Sequence, residues 1–394
     1  MTKSDDKRVP ALRFKGFTDD WEQRKLGEIC KVTKLAGFEF TKYVNYSNTG
    51  SILAIRGINV KKGKFNLQDV KYIDNSNFSR LSRSKLQEGD ILFTYVGTIG
   101  NSAIVPKNVN WYLAPNVCLI RPQDKNSSFI SYLIQSDRFQ HEEIPKWITT
   151  SSQPALSMEN IRKFKIILPL NSEQQKISSL VSKIDKLITL QQRKVTLLKR
   201  LKRTLLNSLI SGKDAPLVRF KEFKSNWTVF KLEDIVAKTI KGNAKAEMHG
   251  KESIYLDTHY LNGGNPTKVD SPTNVFSDDI IILWDGSQAG KVYHGFSGAL
   301  GSTLKSFTPK YSSDYLFQYL KKYQNKIFVN YRTPNIPHVI KDFTTIFKVN
   351  LPSTKEQITI SKLLKTVDAQ ITTKSDSITY LKNMKQFLLQ NMFI

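Results

Sequence analysis

The sequence predicts an α+β protein built twice: two mixed α/β domains alternate with two long helices, which pair as an intramolecular coiled coil in a pseudo-twofold repeat. Three observations predict this. Residues 10–29, PALRFKGFTDDWEQRKLGEI, match 216–235, PLVRFKEFKSNWTVFKLEDI, at nine positions without a gap, where chance gives about one. Residues 168–189, LPLNSEQQKISSLVSKIDKLIT, match 351–372, LPSTKEQITISKLLKTVDAQIT, at ten of 22 positions. Each second match then runs on without Pro or Gly in a heptad pattern of apolar residues.

The two matches have offsets of 206 and 183, so the second copy is shorter by 23 residues. This divides the chain into a first domain at 1–165, a central helix at 166–211, a second domain at 212–350 and a last helix at 351–394. Inside the domains similarity fades to scattered points, such as Asp90-Ile91 with Gly97 against Asp279-Ile280 with Gly286. The interiors, 30–165 and 236–350, carry β-rich runs at Ile91–Tyr95 and Ile280–Trp284 between Gly, Asn, Ser and Thr. A helix follows the strands in each, around Phe129–Gln140 and Asp314–Lys326. Trp21, Phe14 and Phe17 recur as Trp227, Phe220 and Phe223 at packing spacing, which favours core anchoring over base stacking.

The helix from Glu173 to Ile210 places Ile177, Ile184, Leu198 and Leu205 on one stripe and Val181, Ile188, Val195 and Leu209 on the other. The second copy keeps this phase with Ile360, Val367, Leu381, Leu388 and with Leu364, Ile371, Ile378, Met392. Polar interruptions match as well, Gln191 with Lys374 and Lys202 with Lys385. Polar seam residues fix register. A helix this long must be packed along its length, and the other copy is the most economical partner. Cations including Lys183, Arg193, Lys194 and Arg200 remain for a partner surface.

Composition narrows the partners. There are 60 Lys and Arg against 34 Asp and Glu, a formal charge of +26, which points to a polyanion, most often nucleic acid. Met1–Pro10 lacks the apolar core of a signal peptide, and no run suits a membrane span, so a cytoplasmic protein is expected. Cys30 and Cys118 form no CxxC pair.

No catalytic constellation or metal site emerges. The five histidines stand apart; His141-Glu142-Glu143 has Pro145 where a zinc protease needs its second His. Gly286–Lys291 is one residue short of a P-loop and continues with Val292, so a turn after a strand is expected. Glu222-Phe223-Lys224 has nuclease-like spacing, but its counterpart is Gly16-Phe17-Thr18. The expectation is a non-catalytic chain that binds a polyanion, most often nucleic acid. Two other readings stay open: a self-contained DNA methyltransferase or nuclease with an unrecognised site, and a coiled-coil scaffold for RNA or acidic proteins.

A duplicated P-x-x-R-F-x-x-F-x-x-x-W-x-x-x-K-L opening, a variable globule, an L-P-x-x-x-E-Q exit and a heptad helix resemble the specificity subunit of type I restriction-modification systems, across essentially the whole chain. The resemblance implies that each globule is a target-recognition domain reading one half of a bipartite double-stranded DNA site. It implies helices that dock methyltransferase subunits, two of them, with restriction subunits completing the complex. S-adenosylmethionine, ATP and Mg²⁺ then belong to those other subunits, this chain binding none.

Two different interiors on one repeated frame suit an asymmetric site, read by side chains that reach groove edges. In the first domain the candidates are Arg56 and Asn59, then Lys61, Lys62 and Lys64, and the stretch from Thr149 with Thr150, Ser152 and Gln153. In the second, Thr258 and His259 occupy the region comparable to Arg56–Asn59, while Tyr331, Arg332 and Thr333 precede the exit as Thr149–Gln153 does.

Overall fold

A computed structural model of the chain describes residues 9–123, 126–149 and 154–394. They form two compact units, one of the residues up to Gln191 together with Ser377–Ile394, the other of Gln192–Asp376. Each unit takes part of both long helices, where the sequence pattern sets the helices apart as segments of their own. Packing is the reason: in each unit the helical stripes join the main core of the globule.

In the first unit the strand Glu22–Lys25 pairs antiparallel with Lys165–Leu168, so the start and the exit of the globule are stitched together. The central sheet is antiparallel, in the order Cys30–Lys34, Val117–Pro122, Ile91–Thr94, Ser102–Ile104. All of Ile91–Thr94 is buried, because the sheet is covered on both faces. Ile91 and Phe93 join a core with the helix Ser127–Gln135, while Leu92 packs with Ile55, Trp111 and Leu113. Those last residues belong to a second sheet, in which Leu53–Ile55 pairs antiparallel with Lys71–Tyr72 and parallel with Trp111–Leu113.

The second unit repeats this plan. Thr228–Lys231 pairs with Lys348–Leu351, and the central sheet runs Val236–Lys241, Leu304–Pro309, Ile280–Leu283, Val292–His294. Ile280 and Ile282 face the core beneath the helix Ser313–Lys322, and Ile281 and Leu283 the opposite one. The parallel pair recurs as His249–Leu256 with Ala299–Leu300. Part of the extra length of the first unit is a hairpin, Val60–Lys61 with Lys64–Phe65, turned by Gly63 at φ +75°. The second unit has no matching hairpin among the described residues.

The long helices are Asn171–Leu209 and Thr354–Asn391. In the first unit Ile177, Val181, Ile184 and Ile188 share one core with Leu388 and Met392, and Lys385 bonds Asp185 at 2.8 Å. In the second, Leu209 shares a core with Ile360 and Leu364, and Lys202 bonds Asp368 at 2.6 Å. The later part of one helix thus lies beside the earlier part of the other, an antiparallel pairing. Lys202 and Lys385 fill the polar slots of the heptads with repeat-related ion pairs.

Arg13 fastens the globule to the helix through two bonds of 2.8 Å to the buried Glu173, and Arg219 does so to Glu356 at 2.8 and 2.7 Å. Trp21 and Trp227 are buried, edge-on to Phe129 and Tyr315. The Leu12 amide donates to Asn391 O at 2.8 Å, and its repeat image, Val218, donates to Ser208 O at 3.0 Å.

Candidate nucleic-acid interface

Exposed polar loops lie where the central strand leaves each sheet. In the second unit, Ile280–Leu283 ends in Trp284 and Asp285 and turns through Gly286–Gly290 before Val292–His294. The turn is closed by Gly290 N to Leu283 O at 2.7 Å and Ala289 N to Gly286 O at 2.9 Å. Gly286 and Gly290 have φ of +109° and +93°, a conformation that favours glycine. The P-loop-like segment is therefore a turn after a strand.

A second loop docks on this turn. Arg332 bridges to Val339, and Thr333 N donates to His338 O at 3.0 Å, which makes a hairpin. It is held in place by Val339 N to Trp284 O and Gly286 N to Pro337 O, both 2.8 Å. Arg332 lies over the Phe328 ring, 3.7 Å from its centroid, and donates to Ser287 O at 2.7 Å. The short helix Thr258–Leu261 joins from the other side, since Lys291 reaches the Asn262 side chain at 2.5 Å. Thr258 and His259 are exposed there.

Beneath the hairpin, Lys305 Nζ sits 3.6 Å from the Trp284 ring centroid and directly across the strand pair from Lys241. Burial and the facing Lys241 push the Lys305 ammonium below its ordinary pKa, against the pull of Asp285. Like charges placed opposite each other destabilise a sheet. Neither lysine has an ion-pair partner among the described residues, so the pair is suited to an external anion.

The first unit builds the same corner with other side chains. Ile91–Thr94 continues into Tyr95 and a turn at Gly97–Asn101, and Lys34 lies 5.4 Å from the Tyr95 ring centroid. Ala155 bridges to Val96 and to Thr149, and Leu156 N donates to Tyr95 O at 2.9 Å. Thr149 N donates to Ala155 O at 3.2 Å as Thr333 N does to His338 O, so Thr149 sits where Thr333 does, while Thr150, Ser152 and Gln153 fall outside the described residues. The turn Gly57–Asn59 follows its strand as Thr258–Leu261 does. Asn116, exposed with φ +66°, accepts from Tyr95 N at 3.3 Å and is adjacent to Gly57. Lys62 and Lys64 are exposed, Lys61 partly so, and Gly63 N anchors their hairpin to Ser102 O at 2.8 Å. Lys62 lies 4.0 Å from Asp137.

Three of the candidate base contacts have structural partners within the unit. Asn59 is only 1% exposed, and its amide accepts from Arg56 N while donating to Asn66 O and Asp69 O. It shapes the turn instead of reaching outward. Tyr331 is half-buried, edge-on to Phe343 and Phe347 against the main core of the unit. Thr333 spends its hydroxyl on Ile336 O and His338 within the hairpin. Arg56 is half-buried and held by Asp69 at 2.8 Å, which fixes where it points. Sequence reasoning missed Lys34, Tyr95 and Asn116, and Lys241, Trp284, Lys291 and Lys305. One signal was present, an aromatic residue two positions before a glycine at the end of both central strands.

On the helices, Lys183, Arg193, Lys194 and Arg200 all face outward. Leu187, Leu190, Leu197 and Leu201 are also exposed, at 45–54%. Among the described residues no three His, Cys, Asp or Glu side chains gather as a metal site, and no helix is long and apolar enough to cross a membrane.

The model of the type I restriction modification DNA specificity domain matches twice, over residues 18–200 and 224–383. The chain belongs to this family. The two matches coincide with the two copies of the repeat. The MjaVIII specificity subunit of Methanocaldococcus jannaschii is 34% identical over 179 residues, an alignment spanning 43% of this chain and 42% of that protein. The MjaX specificity subunit of the same organism is 26% identical over 383 residues, 90% of this chain and 88% of that one. In structure the chain resembles the type I restriction-modification S subunit from M. genitalium, with a TM-score of 0.68 at 14% identity over 98% of this chain and 99% of that one. A chain from a type I R-M assembly gives 0.55 at 16% identity, over 95% and 97%. These likenesses extend the fold over both globules and both helices.

Proposed function

We propose that the chain is the DNA-targeting subunit of a type I restriction-modification complex, and that each unit reads one half of an asymmetric bipartite site. The observation that carries this reading is the corner each unit builds with a lysine against the aromatic end of its central strand, Lys34 of the outer strand at Tyr95 in one unit and Lys305 of the inner strand at Trp284 in the other, beside loops that differ between the units. A cationic grip with a variable reading edge is how two sequences are read from one frame. Lys61, Lys62, Lys64, Lys241 and Lys305 grip phosphates. Arg56, Asn116, Thr258 and Arg332, with Thr150, Ser152 and Gln153, supply the edge.

The long helices dock methyltransferase subunits, two per chain, through the exposed leucines and through Lys183, Arg193, Lys194 and Arg200. The complex then directs adenine methylation or, with restriction subunits, cleavage. Those subunits bring S-adenosylmethionine, ATP and Mg²⁺, and this chain performs no chemistry itself. The complex works in the cytoplasm.

Exchanging residues 30–165 for the interior of a related subunit, followed by methylome mapping, tests the modular reading. One half of the methylated motif should change and the other persist; a change in both halves overturns it. Methyl transfer by the isolated chain with S-adenosylmethionine would instead establish a self-contained enzyme.

A further inference from the structure

The hairpin on the second unit ends in Thr333-Pro334-Asn335-Ile336-Pro337-His338, and Ile336 is 77% exposed at its tip. A lone exposed isoleucine is ordinarily unremarkable. This one is held rigidly. The prolines at 334 and 337 restrict the backbone on either side. The Thr333 hydroxyl donates to Ile336 O, the same oxygen lies 2.9 Å from His338 Nδ1, and His338 N donates back to Thr333 Oγ1 at 3.2 Å. Pro337 O is bound in turn by Gly286 N at 2.8 Å. An apolar side chain carried on a backbone fixed in this way is buried by a ligand without the cost of ordering the loop.

The surroundings indicate which ligand. Arg332 stands at the base of the hairpin, Lys341 is exposed just after it, and Lys305 and Lys241 lie at Trp284, whose carbonyl binds Val339. Asp285, the bridge partner of His338, and Asp342 are the acidic groups close by in the chain or the ladder. An apolar point among cations suits a polyanion that also offers apolar groups. Duplex DNA does so through thymine methyls and the faces of its base steps, which isoleucine and proline can meet.

We infer that Ile336 is a specificity-determining residue that makes an apolar contact with a base of the second half-site. The inference rests on the DNA-reading function proposed above and names the contact through which that reading is made.

The test uses the full chain and a duplex selected by it from a randomised pool, with a scrambled duplex as control. Ile336→Ala should bind the selected duplex about tenfold more weakly and the scrambled one as before, with an unchanged melting temperature, while Ile336→Val keeps most of the preference. Replacing half-site thymines by uracil should cost the wild type the same factor and the variant nothing if a methyl is the contact. If the contact is a base step, 2-aminopurine there should brighten on binding the wild type only. Equal binding of the selected duplex by Ile336→Ala and wild type overturns the inference, as does a variant that keeps its DNA preference but no longer assembles with a methyltransferase subunit. A wild-type chain without any sequence preference overturns the DNA reading itself, and this inference with it.

Discussion

Arg13 grips Glu173 through two parallel bonds of 2.8 Å, with the carboxylate wholly withdrawn from solvent. Breaking such a pair from one side leaves a charge without its partner, which costs more than the intact pair contributes. Glu173→Gln should therefore lower the stability of the first unit by about 3 kcal/mol. Glu356→Gln should do the same to the second unit through Arg219. Denaturant unfolding followed by tryptophan fluorescence reads both, and a change below about 1 kcal/mol would show the clasp to be dispensable.

The antiparallel helices carry Asp185 with Lys385 and Lys202 with Asp368. Four residues inserted after Gln191 and four after Lys374 fall between these pairs on both helices and add about 6 Å of rise and roughly one turn. Both ion pairs should persist, the melting temperature should hold, and the tolerated DNA spacer should grow by about one or two base pairs at about 3.4 Å each. Two-residue insertions at the same points rotate the stripes by about 200° and should destabilise the protein. Thermal melts with methylome mapping check this; an unchanged spacer would remove the helices as the measuring element.

Lys241 and Lys305 face one another, and among the described residues neither has a carboxylate within ion-pair distance. Replacing each by Ala should weaken selected and random DNA alike and lower the slope of log affinity against log salt by about one for every phosphate no longer neutralised. Arg332→Ala should instead cost the selected duplex more than the random one. Titrations at several salt concentrations separate the two behaviours, and equal losses for Arg332→Ala would make it another phosphate-binding residue.

His294 stacks on Phe317 at 5.2 Å between centroids and meets Ser313 Oγ at 3.1 Å. Burial holds its imidazole below the ordinary histidine pKa despite Asp314, Asp278 and Asp279, with Lys365 adding to the depression. The unfolded chain then takes up the proton first. Stability contributed by the neutral ring is complete above the unfolded pKa of about 6.5 and falls as pH drops toward the folded value. The slope is at most about 1.4 kcal/mol per pH unit. His294→Gln should flatten the melting temperature of the second unit between pH 7 and 5.5 relative to wild type; identical profiles would disprove the coupling.

The frame was legible because duplication marked it. Trp21, Trp227 and the helical stripes recur at fixed spacing, and a residue required twice for packing reveals itself by that recurrence. The reading surface had no such marker. Asn59 and Thr333 have the chemistry of base readers, but a polar residue beside a tight turn is equally able to satisfy the backbone, and only burial and partners separate the roles. Lys241 and Lys305 meet through strand register, Lys202 and Asp368 through helix direction. Neither relation appears until the chain is folded.

The bond from Leu12 to Asn391 has the same place in its unit as the bond from Val218 to Ser208 has in the other. In one case it joins residues from opposite ends of the sequence; in the other it spans a short run of continuous chain. The same contact thus closes each unit whether its two segments are continuous in the chain or far apart in sequence. Cutting the chain in the exposed stretch between Gly212 and Lys213 should therefore leave the second unit folded, since the first unit already holds its corresponding segments together through packing alone.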